Sequence, residues 1–207
     1  MTVAVINYGM GNIRSVVNAF DALGCPVTIA DHPSVLPSVE HIVLPGVGAF
    51  YDGMVRLRQG GWIEALTEEV MHKKKPFLGI CLGMQLLATT GTEHGDHDGL
   101  NWVPGSVVKI RSYDDHGLRV PHIGWNDVYF AKKSRLYTQM ETMGTFYFVH
   151  SYAFQPSEKS VINGVCSYGQ IFAASIEIEN IFATQYHPEK SQKSGLHVLQ
   201  NFVGIKG

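Results

Sequence analysis

The chain has 207 residues, 45% of them hydrophobic and 16% charged, with a formal net charge of −2. A chain of this length can bury a sizeable core, and its composition argues against disorder. The near-neutral charge offers no basic patch of the kind that nucleic acids or anionic membranes call for, so neither is expected as a partner.

Residues 3–6 form a short β-branched run with a glycine-rich stop, which predicts a buried strand. Residues 12–23 read as a helix, because Ile13, Val16, Val17, Phe20 and Leu23 recur at three- and four-residue spacing before Gly24. Strands are expected at 27–30 and 41–44, the second stopped by Pro45. Residues 62–73 read as a helix with Ile63, Leu66 and Val70 on one face and lysines at its end. A fourth strand at 77–80 leads into a helix at 82–89. This alternation predicts an α/β fold, a doubly wound, mostly parallel open sheet flanked by helices.

The second half changes character. Segments 107–110, 127–130, 145–149, 161–165, 171–176 and 181–185 are strand-like, and only at the end do Leu196, Val198, Leu199, Phe202 and Val203 mark a helix face. We expect a β-rich extension packed on the α/β core. No linker or repeat interrupts the chain, so residues 1–207 are read as a single domain. The three cysteines, Cys25, Cys81 and Cys166, are too few and too scattered for a disulfide framework. The N-terminus lacks the basic and long apolar stretches of a signal peptide or membrane span, so a cytoplasmic location is expected.

Three motifs carry chemistry. Cys81 follows the strand at 77–80 and is flanked by Gly79 and Gly83, the frame of a nucleophile elbow in which a sharp strand-to-helix turn presents the side chain. A thiol there would meet free N–H groups and a helix dipole that favour thiolate, and the Leu82 N–H could stabilise an oxyanion. The same frame also fits a buried structural cysteine beside packing glycines. His187-Pro188-Glu189 follows the last strand; the proline favours extended geometry at His187, and positions two apart then project to one side. Glu189 can thus orient the imidazole as in a catalytic triad, although a histidine at a strand end and an acid at a helix start fit the segment too. Pro45-Gly46-Val47-Gly48 ends the third strand, and the two glycines around Val47 would let its peptide rotate an N–H into the pocket. The Gly-Lys-Ser/Thr ending of a P-loop is absent. Together the motifs point to acyl transfer through a thioester.

Gly79-Ile80-Cys81-Leu82-Gly83-Met84-Gln85 with Tyr186-His187-Pro188-Glu189-Lys190-Ser191 resembles the class I (triad) glutamine amidotransferases. Asn7-Tyr8-Gly9-Met10-Gly11-Asn12, the loop at 45–48, Pro121-His122-Ile123-Gly124-Trp125-Asn126 and Tyr147-Phe148-Val149-His150-Ser151-Tyr152 are similar to the glutaminase subunits of imidazole glycerol phosphate synthases. The resemblance implies that Cys81, His187 and Glu189 hydrolyse L-glutamine to glutamate and ammonia. It further implies an oxyanion hole at Val47 and Leu82 in the glycine frame of Gly46 and Gly48, and substrate contacts from Gln85, Glu93, Ser151 and Tyr152. It implies that the partner is a (β/α)₈-barrel cyclase subunit, met by Trp125, Asn126, Tyr147 and Lys190, and it calls for no cofactor. His94, Asp96, His97 and Asp98 crowd one segment and are read as a polar surface loop rather than a metal site. The ending Lys190-Ser191-Gln192-Lys193-Ser194-Gly195 also resembles a branch that supplies ammonia for amidino groups on surface sugars. A third reading is a binding or redox-sensing α/β protein that keeps an elbow cysteine.

Overall fold

The computed structural model describes residues 2–111 and 119–206. The chain runs through β1 (Val3–Ile6), α1 (Ile13–Ala22), β2 (Val27–Ala30), β3 (His41–Gly46), α2 (Phe50–Gln59), α3 (Trp62–Leu66), β4 (Phe77–Cys81) and α4 (Leu82–Gln85). It continues as β5 (Thr90–Gly91), β6 (His97–Asp98), β7 (Gly105–Lys109), β8 (His122–Phe130), β9 (Met143–His150) and β10 (Tyr152–Pro156). β11 (Ile162–Tyr168), β12 (Gln170–Ile178), β13 (Ile181–Thr184) and α5 (Gln192–Val203) complete it. Among the described residues, nine strands form one sheet in the order β2-β1-β3-β4-β13-β12-β11-β8-β9. The five strands from β2 to β13 run parallel, and from β13 to β9 each neighbour runs antiparallel. The β-rich half therefore prolongs the α/β sheet, and it also supplies β7 and β10 of a small second sheet, β10-β7-β5-β6.

Successive strand residues face opposite sides, and the core divides accordingly. Ala4, Ile6, Ile42, Leu44 and Ala183 pack with Phe50, Met54 and Leu57 of α2 and Trp62 and Leu66 of α3. Val3, Val5, Val43, Leu78, Ile80 and Phe182 pack on the other face with Val16 and Phe20 of α1 and Val198, Leu199 and Phe202 of α5. Among the described residues no helix is long and apolar enough to cross a membrane.

Three helices differ from the sequence reading. α2 went unread because Gly53, Arg56 and Arg58 interrupt its apolar face. Gly53 packs closely there, since a Cβ would stand 3.2 Å from the side-chain ends of Leu82 and Leu86. The helix expected over 82–89 stops at Gln85. The carbonyls of Leu86, Leu87 and Ala88 instead accept N–H groups from Leu100, Trp102 and Asn101 at 2.9–3.0 Å, so a distant loop replaces the next helical turn. α3 continues as a wider π turn over Thr67–His72, with the Lys73 N–H reaching back five residues to Glu68 at 3.0 Å.

The sheet brings three strand ends together. Gly46 pairs with Cys81 and Thr184 with Ile80, so the segments after β3, β4 and β13 emerge side by side. A fourth segment joins them where the chain passes at Ser151 from β9 in the large sheet to β10 in the small one. The elbow at Cys81 is closed by contact too tight for side chains: a Cβ on Gly79 would lie 2.6 Å from the Gly83 carbonyl oxygen, and one on Gly83 would lie 1.9 Å from that of Leu44. Gly83→Ala is therefore expected to lower unfolding free energy by about 3 kcal/mol in a urea titration. Gly204→Ala, in the α-helical region just past α5, should stay within about 0.5 kcal/mol, and equal effects would refute the packing argument.

Candidate active site

Cys81 closes β4 with φ 56° and ψ −107°, a conformation that residues with a Cβ rarely adopt. The side chain is buried, with Sγ 4.0 Å from the Val149 carbonyl oxygen. His187 follows β13 and is almost wholly buried. Its backbone N–H donates to the Tyr147 carbonyl at 2.9 Å, and its own carbonyl accepts from the Ser191 hydroxyl at 2.6 Å, so neither end of the residue is free to turn. Nδ1 meets Glu189 Oε1 at 2.7 Å, with both side chains 2% exposed. Nε2 has no hydrogen-bond partner among the described residues. Burial by itself would lower the imidazole pKa; the negative charge of Cys81 as thiolate and the Glu189 carboxylate outweigh it and raise the pKa to about 10. The structure thus brings the three sequence-predicted catalytic candidates together around one imidazole.

Two neighbours escaped the sequence reading. Gln185 is fully buried and its amide donates to Cys81 Sγ at 3.6 Å. It lies two residues before His187, a spacing that could have flagged it. Tyr8 is also buried, and its hydroxyl has no partner among the described residues. Burial, and then the charge of Cys81, push its pKa far above the ordinary phenol value. The hydroxyl stands 2.6 Å from where a Cβ on Gly46 would be, a contact that no spacing rule reveals.

The Val47 loop adopts a definite arrangement. Gly48 has φ +102°, and Val47 donates its N–H to the Met10 carbonyl at 3.3 Å. In this state the Val47 N–H is turned to the loop after β1 rather than into the pocket. Leu82 carries the first N–H of α4, where no earlier helical turn supplies an acceptor.

A cavity of about 500 Å³ opens over Cys81, lined among others by Val47, Leu82, Gln85, Glu93, Ser151 and Tyr152. Gln85 uses its amide nitrogen on the Tyr152 carbonyl at 2.9 Å and Gln185 Oε1 at 3.0 Å. Glu93 accepts the first N–H of α2, from Phe50, at 3.0 Å through one oxygen. Trp125 and Tyr147 meet edge to face at 6.0 Å, and the Lys190 ammonium lies 5.8 Å from the Tyr147 ring centre. These three form one patch beside the cavity, continued by exposed Ile123. Asn126 does not present its amide with them. It turns to His122 at 3.3 Å and to the Ser167 carbonyl at 3.1 Å, because alternate residues of β8 face opposite sides. His94, Asp96 and Asp98 are exposed around the β5–β6 turn, and the His97 ring packs on Tyr51. Among the described residues no three His, Cys, Asp or Glu side chains gather as a metal site.

Known proteins resemble this chain along nearly its whole length. The "Imidazole glycerol phosphate synthase subunit HisH" of Geobacter sulfurreducens is 45% identical, covering 99% of this chain and 99% of its own. The protein of the same description from Moorella thermoacetica is 46% identical, covering 97% of this chain and 93% of its own. The solved structure of PurLQS from Thermotoga maritima is matched over 98% of this chain and 97% of that chain with a TM-score of 0.73; at 17% identity that likeness speaks to the fold alone. Residues 4–205 match the family description "Glutamine amidotransferase class-I", and the chain belongs to that family.

Proposed function

We propose that this chain is the glutaminase subunit of an imidazole glycerol phosphate synthase, which releases ammonia from L-glutamine for histidine biosynthesis. The buried Cys81–His187–Glu189 arrangement carries the reading, since a sensor cysteine needs neither a charged imidazole nor a carboxylate locked to it. Full-length relatives named HisH, at 45% and 46% identity, support the pathway. Three free cysteines accord with a cytoplasmic setting.

The Cys81 thiolate adds to the side-chain carbonyl of glutamine, and the electron pair moves onto oxygen. His187, charged at neutral pH, delivers a proton to the departing amine, and a glutamyl thioester remains. The imidazole, now neutral, removes a proton from water, hydroxide adds to the thioester, and glutamate leaves as the thiolate re-forms. Glu189 holds the ring in orientation throughout. Leu82 N–H stabilises the oxyanion, joined by Val47 N–H once that peptide has left Met10. The ammonia passes to a (β/α)₈-barrel cyclase docked on the Trp125–Tyr147–Lys190 patch.

Three outcomes test this reading. Cys81→Ala should fold normally by circular dichroism and release no glutamate above background; retained hydrolysis refutes the mechanism. The isolated chain should be slow, and the cyclase with its ribonucleotide should raise glutamate release by about 10²–10³, the usual worth of one oxyanion donor. An isolated chain as fast as the complex would exclude the Val47 switch, and activation by a sugar-amidating enzyme instead would move the acceptor. The third outcome concerns pH. The folded pKa of His187 lies above the ordinary 6.5, so the stability its charge confers is complete below 6.5 and is lost as pH rises through about 10. By nuclear magnetic resonance the ring should titrate near that upper value in the native protein and lower in Cys81→Ala, where the thiolate's contribution is gone. An unchanged titration would disconnect the two groups.

A further inference from the structure

From the cavity wall a polar chain runs into the protein that the reaction above does not use. Asn126 Nδ2 meets His122 Nε2 at 3.3 Å, His122 Nδ1 meets His150 Nε2 at 3.1 Å, and His150 Nδ1 meets the Tyr152 carbonyl at 2.9 Å. The same carbonyl accepts from Gln85, which donates to Gln185, which donates to Cys81 Sγ. His122, His150, Gln85 and Gln185 are all buried. The His122 ring is stacked on Tyr168 at 3.9 Å and on Phe148 at 4.7 Å.

Donor and acceptor rules leave one arrangement. A carbonyl only accepts, so His150 carries its proton on Nδ1. Its Nε2 is then an acceptor, so His122 donates from Nδ1 and offers Nε2 as a lone pair. Asn126 fills that lone pair with one amide hydrogen, gives the other to the Ser167 carbonyl at 3.1 Å, and accepts the Asp127 N–H at 2.8 Å. Burial is the leading cause of low pKa values in both rings, about 4 for His122 and about 3 for His150, so both are neutral at physiological pH. With the rings neutral, the three hydrogen bonds from Asn126 through His122 and His150 to the Tyr152 carbonyl all point the same way, and Gln85 donates to that carbonyl from the other side.

We propose that His122 and His150 are positioning residues of the glutamine pocket, a one-directional imidazole pair that fixes the Tyr152 carbonyl and, through it, the two amides beside the Cys81 sulfur. This deepens the glutaminase reading and rests on it. Asn126 sets the direction. A carboxylate in its place has no hydrogen for His122 Nε2 and draws the proton to that nitrogen. Unless His122 becomes a cation, its Nδ1 turns acceptor, His150 inverts with it, and a ring lone pair is left facing the Tyr152 carbonyl.

The experiment joins ¹⁵N spectroscopy of the histidine rings, iodoacetamide alkylation of Cys81, and glutamine kinetics of the chain complexed with its cyclase. The wild type should show both rings neutral with Nδ1 protonated at pH 7. Asn126→Asp should alter both rings, change the Cys81 alkylation rate, and raise KM for glutamine about tenfold, with kcat and melting temperature nearly unchanged. His150→Asn keeps a donor near the former Nδ1 and should stay close to wild-type KM, whereas His150→Leu should not. Charged or Nε2-protonated rings in the wild type, or equal losses in His150→Asn and His150→Leu, would overturn the proposal and leave the pair as core packing. Absence of glutamate release from the wild-type complex would instead refute the glutaminase reading, while ring states and alkylation would still report on the sulfur's positioning.

Discussion

Everything at this site depends on the turn at Cys81. A chain leaving a buried strand must reverse direction within one residue, and the backbone takes up that reversal at φ 56°, outside the ordinary range of an L residue. The strain persists because the packing over-determines it. Leu44 of β3 presses its carbonyl where a side chain on Gly83 would stand, and Gly79 is closed off by the carbonyl of Gly83 itself. The nucleophile is thus held by close main-chain contacts of β3 and β4 with the start of α4. Around the sulfur stand the His187 imidazole, the Gln185 amide at 3.6 Å and the Val149 carbonyl at 4.0 Å.

The switch from parallel to antiparallel pairing gives the site its other wall. A sheet of parallel strands alone would present the ends of β3, β4 and β13 and little more. Beyond β13 in the sheet the strands alternate in direction, and β9 ends beside the site before the chain crosses to the small sheet as β10. That crossing sets His150, Ser151 and Tyr152 along the cavity rim. Glu93, just after β5 of the small sheet, also lines the cavity and ties that segment to the start of α2 through the Phe50 N–H. The cavity is therefore walled by both sheets.

Much of this was legible in the sequence. The motifs around Cys81 and His187 are local, because a strand, a glycine frame and a base two residues from its carboxylate lie within short windows, and the strand–helix alternation that sets them on one edge has a plain period. What stayed hidden was made by distant chain segments. The helix expected over 82–89 follows from strand–helix alternation, but Leu100, Asn101 and Trp102 capture its later carbonyls. The freedom of the Val47 peptide follows from its flanking glycines, whereas the acceptor that its N–H meets, Met10, sits on another loop. Asn126 was placed with Trp125 on one surface, yet adjacent residues of a strand face apart. Tyr8, Gln185 and His150 are ordinary buried polar side chains until a fold sets them around one sulfur.

Tyr147 joins two parts of the molecule that have so far stood separately. Its ring lies on the surface between Trp125 and Lys190, its N–H is held by the Ser191 hydroxyl at 3.0 Å, and its carbonyl holds the backbone N–H of His187. The patch and the support of the base thus share one residue of β9, a strand paired with β8 along its whole length. The side chain of Tyr147 belongs to the surface, while its two backbone groups brace the segment that carries His187.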